Sequence, residues 1–378
     1  MLSYLDSIIQ PVEEATGLPN DHYVNPQIHQ MEKKSLFFDT WAGLSVTANV
    51  PNIGDVKPVT FFNVPLLIVR NKNGGIRVFQ NICRHRGMTL INEEKNIEGA
   101  IRCPYHSWCY STDGRLIATP HVGGAGMNTH RSIKKDNLGL IEVRSHIWMD
   151  VIFINMSGTA PSFQSVNKQL IERWKEFDQP IYHGGLNSKF TLTVNCNWKL
   201  AVENYCESYH LPWVHPGLNS YSKLEDHYNI ENPDIYSGQG TYLYKQYQSL
   251  EGTSFPSFQN LSKKWDQGAE YIAVFPNVLM ACQKDHVWSA VLSPKSHDST
   301  VEEINIYYAK PDICEDMKKN NMELWKGIFL EDIFVVEGMQ NGRNCFGFDG
   351  GKFSPVMDRP THLFHVWVAK NLIIQQTA

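Results

Sequence analysis

Short apolar runs separated by turn residues follow one another after about residue 37. The runs at 59–62, 66–70 and 76–79 are rich in β-branched and aromatic residues, which favours strands. The segment 71–75, Asn-Lys-Asn-Gly-Gly, separates the last two runs and predicts a hairpin turn. Residues 108–116 predict a second hairpin. This part of the chain is therefore predicted to be antiparallel β structure.

The hydrophobic pattern divides the chain into three parts. A predicted strand at 147–154 closes a small antiparallel β domain over residues 38–157, and Gly-Thr-Ala-Pro at 158–161 is typical of a boundary. Residues 1–37 are predicted to form a helix and loop extension. Residues 158–378 are predicted to form an α+β domain with a mostly antiparallel sheet and long helices. The elements predicted there are a helix at 166–177, strands at 190–197, 271–275, 287–292, 304–309 and 364–368, and two longer helices.

The composition is that of an ordinary globular protein. Of 378 residues, 42% are hydrophobic and 19% are charged, and the formal net charge is −5. Because the net charge is negative, nucleic acid or an anionic membrane surface is not expected as a partner. No apolar run reaches the roughly 18 residues of a membrane span, and the N-terminus lacks the features of a signal peptide. Eight scattered cysteines suit a reducing compartment, so we expect a cytoplasmic protein.

Two short loops each carry one cysteine and one histidine. Cys83 and His85 lie in the first loop, and Cys103 and His106 lie in the second. Two thiolates and two imidazoles form the ligand set of a Rieske [2Fe–2S] cluster. Structural zinc is the alternative, but zinc fingers usually group their cysteines as one close pair and their histidines as another. One ligand of each kind in each loop favours the cluster.

A second group of metal-binding side chains follows Trp198. A helix is predicted from Trp198 to His210, and Glu203, Glu207 and His210 would share one of its faces because they are spaced at i, i+4 and i+7. His215 follows after a proline, where the chain can return toward the same point. Two histidines and nearby carboxylates are therefore predicted to converge.

Asp332 is the predicted third ligand. It lies in the middle of an apolar stripe that recurs at helical spacing over residues 324–339, whereas Glu331 and Glu337 lie off that stripe. A carboxylate on a buried face is costly unless a cation or hydrogen bonds offset it. A metal held with two histidines would do so, and this is the ligand set of non-haem Fe(II) oxygenases. An aspartate bonded to buried backbone or tyrosine groups is the alternative.

These motifs resemble the catalytic α subunit of the Rieske non-haem iron oxygenase family over nearly the whole chain. The resemblance rests on the following motifs: Cys83-x-His85-Arg86-Gly87; Cys103-Pro104-Tyr105-His106-x-Trp108 with Asp113-Gly114-Arg115; Asn197-Trp198-Lys199; Glu207-x-x-His210-x4-His215-Pro216; and Glu331-Asp332-x4-Glu337. It implies a Rieske domain followed by a helix-grip, START-like catalytic domain.

The resemblance also implies cofactors and partners. His210, His215 and Asp332 would hold a mononuclear Fe(II), and Glu207 would link His210 to a cluster histidine of the neighbouring subunit in a head-to-tail homotrimer. O2 would be the co-substrate. The chain has neither a G-x-G-x-x-G turn nor a ferredoxin-type C-x4-C-x2-C run, so electrons from NAD(P)H would come through a separate reductase.

The sequence departs from the family pattern at two positions. Glu207 stands where ring-dihydroxylating members typically have aspartate, and in this respect it resembles the carnitine monooxygenase type, which oxidises quaternary ammonium compounds. Ser107 stands where the family usually has glycine. The expected function is therefore monooxygenation of a small quaternary ammonium or amine compound. An aromatic-ring hydroxylating dioxygenase is the alternative, and a non-catalytic electron carrier is a third hypothesis.

Aromatic residues are frequent around the iron motifs. Each is expected to pack in the core, or to form part of a cage for a quaternary ammonium head. The sequence does not separate these two roles. The residues concerned are Tyr205, Tyr209, Trp213, Phe275, Trp288, Trp325 and Phe329.

Overall fold

The structure is a computed structural model, and it describes residues 3–248 and 252–377. The chain divides into two compact units. One is Leu44–Gly158, and the other combines Met1–Gly43 with Thr159–Ala378. The fold is α+β, with antiparallel sheets, as the sequence predicts.

The unit Leu44–Gly158 is built from small antiparallel sheets. The strand orders are β4-β3-β2-β5, β6-β7-β8 and β1-β10-β9. Its strands are β1 Ala42–Val46, β2 Asp55–Phe61, β3 Val64–Arg70, β4 Ile76–Gln80, β5 Lys95–Asn96, β6 Ala100–Arg102, β7 Cys109–Ser111, β8 Leu116–Ala118, β9 Arg144–Trp148 and β10 Val151–Asn155.

Hairpins connect several of these strands where the sequence predicts them. The β3–β4 hairpin turns at Asn71–Gly75, and the β7–β8 hairpin turns at Gly114 with a φ of 84°. The prediction of a single strand at 147–154 is wrong, because Met149 and Asp150 both adopt left-handed backbone conformations and reverse the chain between β9 and β10. The apolar run continues through this turn, so the hydrophobic pattern alone hides it.

A single hydrophobic cluster supports the two ligand loops of this unit. Cys83 and Cys103 are themselves part of it, together with Phe79, Trp108 and Tyr110. The ligand loops therefore rest on a packed core rather than on mobile chain.

The larger unit contains one long antiparallel sheet. Its strand order is β11-β18-β17-β16-β15-β14-β13, and β12 also pairs with β18. The strands are β11 Tyr182–His183, β12 Lys189–Val194, β13 His227–Asn232, β14 Tyr236–Thr241, β15 Ala269–Val274, β16 Val278–Cys282, β17 His286–Ser296 and β18 Ser299–Tyr308.

Helices pack on this sheet. Helix α5 contacts β14, β15 and β17, α8 contacts β12, and α9 contacts β13 and β14. The helices are α1 Asp21–Val24, α2 Pro26–Glu32, α3 Phe163–Val166, α4 Lys168–Arg173, α5 Trp198–Cys206, α6 Leu211–Val214, α7 Pro216–Asn219, α8 Glu315–Gly342 and α9 Arg359–Thr377, and Lys33–Phe38 forms a π-helical segment.

Two sequence predictions about secondary structure in this unit are wrong. Residues 364–368 belong to α9 and not to a strand, because Phe364, Trp367 and Val368 are buried at a helical spacing of three and four residues. A five-residue apolar run is too short to distinguish a strand from a buried helix. The predicted helix at 166–177 is broken into shorter turns.

The N-terminal residues are integrated into the larger unit through buried polar contacts. The Lys199 ammonium on α5 donates to the Glu32 carboxylate at 2.6 Å, and the Tyr23 hydroxyl donates to Glu203 at 2.5 Å. These pairs are almost completely buried, so breaking one partner would leave an uncompensated charge in the core. Within the described residues, no helix has the length and apolar character needed to cross a bilayer.

Candidate metal centres

The two ligand loops have the same backbone hydrogen-bonding pattern. The Cys83 carbonyl accepts from the Gly87 N–H, and the Cys103 carbonyl accepts from the Ser107 N–H. Gly87 has a φ of 73° and Ser107 has a φ of 55°, so both loops need the left-handed conformation at the same position. Serine adopts it at a cost of roughly 1 kcal/mol relative to glycine. The departure at Ser107 therefore leaves the loop geometry intact.

The predicted cluster ligands converge at the tips of these loops. The His85 and His106 rings lie 4.8 Å apart between centroids, and both cysteines are buried free thiols. His85 is exposed and His106 is partly exposed, so the imidazoles occupy the solvent side of the site. The structure thus separates a buried thiol side from an accessible imidazole side.

The donor set fits a Rieske cluster. His106 Nδ1 is buried and has no hydrogen-bond partner among the described residues, as expected of an atom that binds a metal. Burial, and then the neighbouring His106, lowers the pKa of His85. A neutral imidazole is the form that coordinates a metal. Trp108 stacks on His85 at 4.8 Å with an interplanar angle of 9°, which fixes the orientation of that ring.

Tyr110 lies directly behind the cysteine of the first loop. Its hydroxyl oxygen is 3.2 Å from Cys83 Sγ and accepts the Arg84 N–H at 2.9 Å. With a metal-bound thiolate in place, this hydroxyl must be the donor to sulfur. Hydrogen bonds to the sulfur atoms of such clusters raise the reduction potential.

We expect Tyr110→Phe to lower the reduction potential of the cluster. A loss of about 1 kcal/mol of hydrogen bonding to the reduced form corresponds to about 40 mV for a one-electron couple. Redox titration monitored by electron paramagnetic resonance measures this change. Tyr105→Phe is the matched control, because the Tyr105 side chain is exposed on the second loop and its hydroxyl contacts Arg86 rather than a cysteine sulfur. An unchanged potential in Tyr110→Phe would assign the hydroxyl a purely structural role.

The second candidate centre joins the predicted residues His210, His215 and Asp332. One potential ligand atom from each residue lies within 4.8 Å of the others. His215 Nε2 is 3.0 Å from Asp332 Oδ1, and His210 Nε2 is 3.7 Å from the same oxygen. Two imidazole nitrogens and one carboxylate oxygen thus face a common point, which is the ligand set of a facial triad.

The backbone that brings His210 to this site differs from the predicted helix between Trp198 and His210. Helix α5 ends at Cys206, and Glu207 is extended, with φ −124° and ψ 162°. The Glu207 carboxylate oxygen Oε2 accepts the N–H groups of Tyr209 and His210, so it caps the next helical turn instead of continuing the first. The shared helix face proposed for Glu203, Glu207 and His210 is therefore wrong. Glu203 stays buried beside Tyr23.

Each histidine is held by a carboxylate on its other nitrogen. His210 Nδ1 donates to Glu207 Oε1 at 2.6 Å, and His215 Nδ1 donates to Glu331 Oε2 at 2.7 Å. This leaves each Nε2 with a lone pair directed at the Asp332 side. Carboxylate partners of this kind fix the tautomer and raise the basicity of metal-bound histidine. The geometry therefore fits a divalent metal ion.

The electrostatics of the triad also favour a cation. Burial lowers the pKa of His215, but the hydrogen bonds and charges of Asp332 and Glu331 outweigh burial and raise it. The two carboxylates thus stabilise a positive charge beside them. In the metal-bound site, the metal ion would carry that charge instead of the His215 imidazole.

The structure gives a role to two acidic residues near the triad, Glu331 and Glu302, to which the sequence assigns none. Glu331 was placed off the apolar stripe, yet it contacts His215, because adjacent helix positions can reach different sides of one neighbour. Glu302 on β18 is buried, and burial followed by the charge of Asp332 raises its pKa to about 8. Burial beside the triad thus favours the uncharged form of Glu302. No sequence signal marks Glu302 as different from other strand residues.

A cavity of about 100 Å³ opens beside the triad. His210, His215 and Asp332 line one part of it. Among the aromatic residues singled out in the sequence, Tyr205, Trp288, Trp325 and Phe329 line the cavity. Phe275 packs in the core against Phe364 and Trp367, and Tyr209 and Trp213 are exposed.

Comparisons with known proteins identify both parts of the chain. Residues 40–133 match the model of the Rieske [2Fe–2S] domain, and residues 171–373 match that of the ring hydroxylating alpha subunit (catalytic domain). The carnitine monooxygenase oxygenase subunit of Escherichia coli (strain K12) is 24% identical over 345 residues, which cover 89% of this chain and 87% of that protein.

Two solved structures share the fold. The quaternary ammonium Rieske monooxygenase CntA, in complex with an inhibitor, has a TM-score of 0.79 at 20% identity, covering 97% of this chain and 98% of that one. Naphthalene 1,2-dioxygenase from Rhodococcus sp., bound to indole, has a TM-score of 0.76 at 16% identity, covering 99% of each chain. The chain belongs to the family of ring-hydroxylating alpha subunits, oxygenases that combine a Rieske [2Fe–2S] domain with a non-haem iron catalytic domain.

Proposed function

We propose that this protein hydroxylates a small quaternary ammonium or amine compound. It would act as the oxygenase component of a system that uses O2 and receives electrons from NAD(P)H through a separate reductase. Hydroxylation at a carbon beside nitrogen would then lead to N-dealkylation or C–N cleavage. The relatives named for carnitine and quaternary ammonium oxidation support this substrate class.

We assign the metal ligands as follows. Cys83, His85, Cys103 and His106 would hold the [2Fe–2S] cluster, and His210, His215 and Asp332 would hold Fe(II). When bound, these groups supply stored electrons and dioxygen activation. Glu207 and Glu331 orient the two histidines of the second site.

The observation that carries the proposal is the aromatic cavity next to the histidine–aspartate triad. Aromatic faces attract a desolvated cation, by up to about 2 kcal/mol per ring. Trp288 is central in this wall, with ring centroids 5.3 Å from both Trp325 and Phe329. An apolar wall of this kind excludes water from a substrate held beside the triad.

A substrate panel tests the proposal. The reconstituted protein, reduced and supplied with O2, is incubated with carnitine, glycine betaine, choline and aromatic acids, and the products are identified by mass spectrometry. We expect oxygen consumption coupled to product with at least one of the quaternary ammonium compounds. Products from the aromatic acids alone would overturn the proposal and favour the ring-hydroxylating dioxygenase.

We further propose a head-to-tail homotrimer. Large apolar side chains are exposed beside both centres: Trp213 is 71% and Tyr209 is 43% exposed near Glu207, and Tyr105 is 56% exposed next to His106. Exposed apolar patches of this kind mark protein interfaces. Docking of the cluster loops of one subunit beside Glu207 of the next would cover them.

We also propose domain limits and a cellular compartment for this oxygenase. We propose 1–37 as an extension, 38–157 as the Rieske domain and 158–378 as the catalytic domain. The eight cysteines are all free thiols, which supports a cytoplasmic location.

A further inference from the structure

A buried acidic group lies behind the aromatic wall of the cavity. Asp285 is in the hairpin turn between β16 and β17, and its side chain has no solvent exposure. It lies outside the triad and has no part in the proposed metal chemistry. Sequence reasoning did not single it out.

The hydrogen bonds to Asp285 come from neutral side chains. Trp325 Nε1 donates to His286 Nε2 at 2.8 Å, and since an indole can only donate, His286 must carry its hydrogen on Nδ1. His286 Nδ1 then donates to Asp285 Oδ1 at 2.9 Å. The Tyr244 hydroxyl donates to the same oxygen at 3.1 Å. Asp285 Oδ1 thus accepts from two neutral donors.

This carboxylate is not neutralised by a cation from the described part of the chain. Within residues 3–248 and 252–377, no lysine or arginine forms an ion pair with Asp285. The neighbouring Lys284 instead donates to the Asp266 carbonyl at 3.1 Å. A buried carboxylate without a cationic partner is costly even when it accepts hydrogen bonds, and a cationic ligand is one way to offset that cost.

The groups that surround Asp285 face the cavity. Tyr244, His286 and Trp325 all line it, so only one layer of side chains separates the carboxylate from a bound ligand. The Tyr244 hydroxyl contacts Asp285 directly, and burial, followed by Asp285, raises the pKa of Tyr244.

One buried polar atom at this end of the cavity, on Asn321, has no hydrogen-bond partner among the described residues. Asn321 lies one helical turn before Trp325 on α8, lines the cavity and is 1% exposed. Its Nδ2 donates to the Tyr308 hydroxyl at 3.4 Å, whereas Oδ1 has no hydrogen-bond partner among the described residues. A free carbonyl oxygen beside aromatic faces also suits a cation.

We propose that Asp285 is the counter-charge that selects cationic substrates, acting through the wall formed by Tyr244, His286 and Trp325. This inference rests on the proposed function and deepens it by assigning the charge recognition to one residue. The ligand class is a small onium cation whose head is held by aromatic faces and by the field of a buried carboxylate. Asp285 is a specificity-determining residue and not a catalytic one.

Binding of choline and of its neutral isostere 3,3-dimethylbutan-1-ol to the reconstituted protein tests the inference. Quenching of tryptophan fluorescence reports binding, since Trp288 and Trp325 line the cavity. A unit charge about 8 Å away at an effective dielectric constant of about 20 changes affinity about 30-fold. We expect Asp285→Asn to weaken choline binding about 30-fold and to change binding of the neutral alcohol less than about threefold. The amide keeps the shape and can still accept from His286.

Asp298→Asn is the matched control, because it removes an exposed carboxylate in the β17–β18 turn outside the cavity lining. Unchanged choline binding in Asp285→Asn, or a wild type with no preference for choline over the alcohol, would overturn the inference. The proposed function is judged separately by product formation in the wild type.

If Asp285→Asn does not fold, a crystal structure of the wild type with choline decides. Its nitrogen should lie within about 6 Å of the Trp325 ring centroid, and a nitrogen elsewhere refutes the assignment.

Discussion

Replacing Asp332 with alanine is expected to release the mononuclear iron and to reduce turnover by more than about 100-fold. Asp332 Oδ1 is the one oxygen that faces Nε2 of both His210 and His215. Without it, two neutral imidazoles remain, and neither compensates the charge of a divalent ion. The Rieske cluster should be unaffected, because its four candidate ligands lie in the other compact unit.

Iron analysis and absorption spectroscopy on the same sample measure both effects. Three irons per chain are expected in the reconstituted wild type and two in Asp332→Ala, with an unchanged cluster spectrum. Glu323→Ala is the matched control, since Glu323 is an exposed carboxylate on the same helix α8. Two irons in the wild type would favour the electron-carrier hypothesis, and loss of the cluster in Asp332→Ala would refute the separation of the two centres.

The two loops and the three residues that the structure brings together could be predicted from the sequence because metal chemistry restricts residue types. A mixed cysteine and histidine pair in each of two loops suits few sites besides a Rieske cluster. Asp332 is predicted as a ligand because a carboxylate in the middle of an apolar helical stripe needs a compensating partner. These residue types and spacings are local features of the sequence. They remain informative even where the predicted helices and strands around them are wrong.

Contacts between distant segments could not be found in this way. Glu331 and Glu302 are ordinary acidic residues in sequence, and only the packing of α8 and β18 against the site gives them a role. Asp285 likewise has no distinguishing motif. Its significance comes from the hydrogen bond between Trp325 and His286, which joins positions 39 residues apart.

The break after α5 shows why helical periodicity misled the placement of Glu207. The residues from Trp198 to His210 have no strong helix breaker, and the helix ends because the Glu207 side chain competes for backbone N–H groups. The pairing of Glu207 with His210 was nevertheless expected from the family resemblance. In the structure, Glu207 contacts His210 because it caps the helical turn after α5, and not because the two residues share a helix face.

Glu207→Gln is the second substitution with a large expected effect. Glu207 uses both carboxylate oxygens, Oε1 for His210 Nδ1 and Oε2 for two backbone N–H groups. Glutamine has one acceptor oxygen, so it cannot satisfy both sets and also loses the negative charge. We expect both metals to stay bound, and oxidation of the reduced cluster in a single turnover to slow by about 10- to 100-fold. Stopped-flow absorption of the cluster measures this rate.

Glu331→Gln is the control that isolates the role of Glu207. Glu331 makes the equivalent contact to His215 Nδ1, but its side chain is 47% exposed and only one oxygen is engaged, so an amide can keep the bond. If both variants slow the reaction equally, the effect is a general loss of histidine orientation. If Glu207→Gln alone slows cluster oxidation while iron content is unchanged, Glu207 has a role beyond orientation. Unimpaired single-turnover kinetics in Glu207→Gln would remove this residue from the path between the two centres.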